Sequence, residues 1–105
     1  GFDEVMQRYP DGVFFFCTTK AKHTYSDVRY TDYADKDIFL VFGKETKGLP
    51  EELLAEHYES CIRIPMKEHM RSLNLSNSVA IIAYEVLRQF GFEHLKQDGE
   101  LTKQH

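Results

Sequence analysis

Two stretches of the chain concentrate residue types that bind and orient ligands. The first is Gly43-Lys44-Glu45-Thr46-Lys47-Gly48-Leu49-Pro50, two glycines around charged side chains, directly after an apolar run. Its glycine spacing matches the first half of a phosphate-binding P-loop. Leu49 and Pro50, however, stand where that loop requires Lys and Ser or Thr, so nucleoside triphosphate binding is not expected. The same residues also suit an ordinary strand-to-helix turn, because Gly permits the positive φ values such turns use. The second stretch is Arg71-Ser72-Leu73-Asn74-Leu75-Ser76-Asn77-Ser78-Val79-Ala80. One Ser or Asn suffices to cap a helix, whose first N–H groups lack partners. Ser72, Asn74, Ser76 and Asn77 together give a surplus of polar groups at a helix N-terminus, a setting suited to an anionic or polar ligand.

Basic side chains fall in or beside the same loops: Lys20, Lys22, Arg29, Lys44, Lys47, Arg63, Lys67 and Arg71. They suit RNA phosphates, although solvated surface cations look the same in sequence. The formal charge of −4 argues against a surface that is basic all over, so any RNA site must be local. Cys17 and Cys61 each sit in an apolar stretch and read as buried, reduced thiols. No Cys or His pair has zinc-ligand spacing, no metal is expected, and the five His are assigned no role.

These loops need elements to hold them. Phe2, Val5, Met6 and Tyr9 recur at helical spacing, with Pro10, Asp11 and Gly12 as a stop and turn. Val13 to Cys17 and Ile38 to Phe42 are short, continuously apolar runs and read as buried parallel strands; Cys61 to Ile64 is a third strand, ended by Pro65. The polar span Thr18 to Asp37 is expected to be a long loop with at most one short turn. Pro50, Glu51 and Glu52 start a helix that runs to about His57. Val79, Ile82, Ala83, Val86 and Phe90 mark one face of the last helix, and Gly91 stops it. Its other face carries Ala80, Ile81, Tyr84 and Leu87, so this helix needs two apolar partners, the sheet and, as expected here, a second subunit.

The order of elements implies an α/β fold with an open, mainly parallel sheet, in which ligands bind beyond the C-terminal strand ends. The segments after Cys17, Phe42 and Ile64 all lie there. With 105 residues, 42% of them hydrophobic and including eight Phe and six Tyr, the chain has the material for one globular core. It carries no signal-peptide pattern and no apolar run near the roughly 20 residues that span a bilayer, so a cytoplasmic location without membrane contact is expected.

Taken together, segments 42–50, 62–66 and 71–80 resemble the two C-terminal signature motifs of the SPOUT superfamily of 2′-O-ribose RNA methyltransferases. Cys17-Thr18-Thr19-Lys20 resembles the preceding strand end in the YibK-like branch, which methylates the wobble cytidine or uridine ribose of tRNA. This resemblance covers nearly the whole chain. It implies a C-terminal trefoil knot, which physical rules alone would not suggest, with S-adenosylmethionine bound in it. It also implies a homodimer and a tRNA partner contacted in its anticodon region. Cys17, Gly43, Ile64 and Ser72 fall at positions that hold the cofactor, and Glu45, Ser72 and Asn74 at polar positions near the reacting centre. Lys20, Lys44, Lys47 and Arg71 are the candidate RNA contacts.

Relatives carry, ahead of the matched region, an Asn and Arg motif whose Arg helps activate the ribose hydroxyl. Nothing here matches it. The chain is therefore expected to be N-terminally truncated, with residues 1–92 the C-terminal portion of one SPOUT domain and 93–105 a polar tail. Two other classes stay open: a noncatalytic RNA-binding or dimerisation module that retains the fold, and a different α/β nucleotide-binding enzyme.

Overall fold

A computed structural model of the chain describes residues 1–44, 47–70 and 73–102. The two continuously apolar runs form the middle of the sheet as β1 (Val13–Cys17) and β3 (Ile38–Phe42). They pair in parallel, with Val13 opposite Ile38 and Cys17 opposite Phe42. Strand β4 (Cys61–Arg63) takes the other side of β1, with Phe16 opposite Cys61. A two-residue strand, β2 (His23–Thr24), adds to its outer edge. The sheet therefore runs β2-β4-β1-β3, with every neighbouring pair parallel.

A parallel sheet of uninterrupted apolar strands must be covered on both faces. Phe14 and Phe16 project to one face and pack with Val41, Leu54 and Cys61. Phe2 and Met6 of α1 (Phe2–Arg8) and Leu53 of α2 (Glu51–Glu56) cover that cluster. Phe15 projects the opposite way and meets Tyr30, Ile62 and Ile82, the last from α3 (Leu75–Gln89). Phe16, Ile62 and Ile82 are each about 1% exposed, and burying a side chain of that size contributes roughly 1.5–3 kcal/mol. Helix α1 has no buried residue, and the strands supply most of the core, with Leu54 from α2 and Ile82 from α3.

Local chemistry sets the helix limits. In α1, Asp3 and Glu4 occupy the first turn and Arg8 the last, as the helix dipole favours. In α2, Glu51 and Glu52 follow Pro50 at the start. Helix α3 begins where the Asn74 side chain accepts the Ser76 N–H at 2.8 Å. It ends where Gly91 takes φ +72° and the Phe92 N–H donates to the Leu87 carbonyl at 2.9 Å.

The span from Thr18 to Asp37 is more ordered than its polarity suggests. It holds β2 and two 3₁₀ turns, Tyr25–Asp27 and Tyr30–Tyr33. Tyr30 is wholly buried, edge-on to Phe15 with ring centroids 5.3 Å apart. Its hydroxyl donates to the Tyr25 carbonyl at 2.7 Å and its N–H donates to Gln89 Oε1 at 2.8 Å. Gln89 Nε2 in turn donates to the Val28 carbonyl and to Glu85 Oε2, both at 2.8 Å. One amide thus ties this span to α3 while leaving no polar atom stranded. The third expected strand, Cys61 to Ile64, is one residue shorter in the structure, since the ladder stops at Arg63 and leaves Ile64 beyond it.

On α3, Tyr84 stays 59% exposed on the face opposite Ile82, and Val79, expected on the Ile82 face, is itself 39% exposed.

Candidate functional site

Because β1, β3 and β4 are parallel, their C-terminal ends open on one edge. A cavity of about 500 Å³ lies there, within the range of small-ligand sites. Cys17 and Thr18 reach it from β1, Phe42 and Gly43 from β3, and Ile62, Arg63 and Ile64 from β4. The start of α3 closes it with Leu73, Asn74, Leu75 and Ser78. Segments far apart in sequence therefore meet in one place.

The wall from β3 is built by close backbone approach. A side chain at Gly43 would overlap the Gly48 carbonyl carbon and bring its Cβ to 2.5 Å from the Leu49 nitrogen. Gly48 itself has φ +66°, where only Gly is unstrained, and its N–H donates to the Lys44 carbonyl at 2.8 Å. Both glycines thus have a physical reason.

The wall from β1 is Thr18, Thr19 and Lys20. The Thr18 N–H donates to the Ile62 carbonyl at 2.9 Å, one step beyond the β1–β4 ladder. Lys20 Nζ lies 3.2 Å from Glu51 Oε2. Lys20, Lys44, Lys47 and Arg63 bring four cations to the lining, and none of the described lining residues is acidic or a histidine. The lining can therefore pair with a carboxylate or phosphate group of a ligand.

At the end of β1, burial first, and the neighbouring Cys61 second, push the Cys17 thiol up to about 12. It remains a neutral thiol near pH 7 and serves as wall rather than nucleophile. Cys61 is raised by burial as well, and its thiol donates to the His57 carbonyl at 3.5 Å.

Of the residues singled out in sequence, Cys17, Gly43, Ile64 and Asn74 all line this cavity, as do Lys20, Lys44 and Lys47. Asn74 already uses Oδ1 to cap α3. Glu45, Arg71 and Ser72 lie outside the described residues. Lys22 is turned away from the cavity and pairs with Glu59 at 2.6 Å. Sequence reasoning gave no lining role to Leu54 and Ile82, nor to Met66 and Leu73 inside the motif segments. Ile82 carried the helical periodicity of a core residue, and nothing in that pattern distinguishes a core wall from a ligand wall. Among the described residues, no group of three or more His, Cys, Asp or Glu is placed to hold a metal ion, and no helix is long and apolar enough to cross a membrane.

Comparison with known proteins locates this arrangement. A family model described as the SpoU rRNA methylase family matches residues 1–84. The chain is 52% identical over 96 residues to a Listeria monocytogenes protein provisionally named a tRNA (cytidine(34)-2'-O)-methyltransferase, covering 91% of this chain and 56% of that protein. The chain thus spans little more than half the length of the curated relatives it matches.

Several solved structures share its fold, among them these three. One, a provisionally identified RNA methyltransferase from Bacillus anthracis, superposes with a TM-score of 0.86 at 38% identity, over 93% of this chain and 61% of that one. A second, described for 2-OH methylation of C/U34 on tRNA, gives 0.75 at 31% identity, over 89% and 58%. The third, an AdoMet-bound rRNA methyltransferase from Sinorhizobium meliloti, gives 0.62 at 28% identity, over 81% and 32%.

Proposed function

The chain belongs to the SpoU rRNA methylase family, and from that premise we propose that it forms the S-adenosylmethionine-binding part of an enzyme that methylates the ribose 2′-hydroxyl of the wobble nucleotide, position 34, of a tRNA. The observation that carries the reading is the single cavity in which the ends of β1, β3 and β4 meet the capped start of α3. The names of relatives and structural neighbours point to the same substrate.

The residues present fit the cofactor. S-adenosylmethionine joins a flat adenine, a ribose and a charged amino-acid tail. The cavity offers strand-end backbone and apolar walls at Ile62, Ile64 and Leu73 for the base, and cations for the carboxylate. Gly43, lacking a side chain, lets Gly48 and Leu49 approach. When bound, the cofactor supplies an electrophilic methyl group on a positively charged sulfur.

The chain's own groups have three tasks in this reading. Main-chain groups at Cys17, Gly43 and Ile64, with Ser72, hold the cofactor. Glu45, Ser72 and Asn74 orient the reacting ribose, since an in-line displacement depends on alignment of the attacking oxygen. Lys20, Lys44, Lys47 and Arg71 take the phosphates of the anticodon region. Removal of the hydroxyl proton needs a base. The described lining holds no carboxylate or imidazole, and the Cys17 thiol is neutral, so the base is assigned to a group outside it.

The reading extends to the trefoil knot and to a homodimer that covers the exposed Tyr84 face of α3. A tRNA substrate suits a cytoplasmic site of action.

Calorimetric titration of the chain with S-adenosylmethionine and S-adenosylhomocysteine, with ATP and NAD as controls, tests the proposal. Saturable binding of the two sulfur compounds alone is expected. A chain that is folded by far-ultraviolet circular dichroism and binds neither would overturn it.

A further inference from the structure

We propose that Arg63 and Tyr58 are positioning residues that fix the Thr18–Lys20 wall of the cavity in its ligand-binding shape; the proposal rests on the cofactor reading above. Two consecutive carbonyls of that wall are held from outside. Arg63 Nη1 donates to the Thr19 carbonyl at 2.9 Å, and the Tyr58 hydroxyl donates to the Lys20 carbonyl at 2.7 Å. The donors lie 44 and 38 residues away in sequence, on β4 and on the 3₁₀ turn Tyr58–Ser60.

Peptide units are planar, so a pinned carbonyl also fixes the direction of the next N–H. The two contacts therefore set two successive peptide planes, those leading into Lys20 and Ala21. Within the wall, the Lys20 N–H donates to Thr18 Oγ1 at 3.1 Å and the Ala21 N–H to the Thr18 carbonyl at 3.3 Å. These local bonds shape a turn but do not anchor it to the sheet. Arg63 and Tyr58 supply that anchor.

The donor types suit the task. A guanidinium is always charged and planar, and its charge-assisted hydrogen bond is stronger than a neutral one. Arg63 also lines the cavity beside Thr18 and Thr19, so cofactor and latch share one edge. Tyr58 stands behind the wall and does not line the cavity. Its ring is buttressed by Lys22, whose ammonium lies 5.8 Å from the ring centroid and is itself held by Glu59 at 2.6 Å. An effect of the Tyr58 hydroxyl on cofactor binding must therefore travel through the wall.

The test compares Tyr58→Phe, Arg63→Gln and Arg63→Lys with the parent chain. Two quantities are read: hydrogen exchange at the Lys20 and Ala21 amides, and S-adenosylmethionine affinity by calorimetry. Tyr58→Phe keeps the ring and removes only the donor. One net hydrogen bond of about 1 kcal/mol corresponds to about a fivefold change. Tyr58→Phe and Arg63→Gln are each expected to speed exchange and weaken affinity by about that factor, with Arg63→Lys recovering most of it. Unchanged exchange overturns the latch, and faster exchange with unchanged affinity overturns its link to the cofactor. Affinity lost only in step with melting temperature, without recovery in Arg63→Lys, marks a general structural role and also overturns it. A folded parent that does not bind S-adenosylmethionine refutes the cofactor reading, and the exchange data then still decide separately whether the latch exists.

Discussion

Two loops leave the sheet at the same edge and are held in opposite ways. The exit of β1, Thr18 to Lys20, is secured by side chains from elsewhere: Arg63, Tyr58 and, through its own ammonium, Glu51. The exit of β3 is secured by the absence of side chains, with Gly43 against Gly48 and Leu49, and Gly48 at φ +66°. A wall held by several donors loses one at modest cost. A wall held by backbone contact has no such tolerance, because packed backbone cannot move aside as the tip of a flexible side chain can.

The sharpest way to break this contrast is Gly43→Ala. Its Cβ would overlap backbone atoms, so a destabilisation of about 3 kcal/mol or more is expected, lowering the melting temperature by about 12 °C or more. Cofactor binding should be lost with it. Gly48→Ala meets nothing within 4 Å and suffers only from its φ, so about 1–2 kcal/mol is expected. Thermal melts of the two variants, followed by titration with S-adenosylmethionine, check both figures. Equal effects would mean that φ strain, not close approach, governs this loop.

A smaller effect separates the cations. The Lys44→Ala, Lys47→Ala double variant should melt like the parent. Its tRNA affinity should fall, and the slope of log affinity against log salt should flatten by about 1–2. Lys20→Ala removes an ion pair whose partners are 58% and 77% exposed, so its effect on stability is expected to be below about 1 kcal/mol. Filter binding across a salt series measures the slopes, and an unchanged slope in the double variant would remove Lys44 and Lys47 from the RNA site.

The smallest effect concerns Cys17. With its thiol pushed up to about 12, only roughly one part in ten thousand is thiolate at pH 8. Iodoacetamide labelling of the folded chain should be far slower at Cys17 than at a free thiol and should rise with pH. Fast labelling at pH 8, read by mass spectrometry, would show that the end of β1 is wetter than its burial implies.

Much of this architecture is legible in the sequence, and what is not has a physical cause. Val13–Cys17 and Ile38–Phe42 are readable to the residue because a strand buried on both faces must be apolar throughout. Helix α3 is readable from its repeat and from Gly91. Strand β2 is not, because His23 and Thr24 have no strand signal of their own and pair only because β4 presents them an edge. The cavity residues Cys17, Gly43, Ile64 and Asn74 are reached through motif resemblance, whereas Arg63 as a latch and Tyr58 are invisible to it. Their acceptors are main-chain carbonyls, which carry no residue identity to search for. Glu45, Arg71 and Ser72 lie outside the described residues.

The Gln89 amide also bears on the order in which the molecule can assemble. Its partners Tyr30 and Val28 are 59 and 61 residues away, so the bridge is among the least local contacts of the chain. Bringing such distant groups together carries a large closure entropy, and topologies rich in these contacts fold slowly. The chain between them includes β3, α2 and β4, so the bridge spans the whole middle of the fold. The bridge exists only where α3 and the Tyr25–Tyr33 span lie side by side, which no local contact enforces. Among the described residues, α3 is the last element in sequence and the one that completes the hydrophobic layer begun by Phe15.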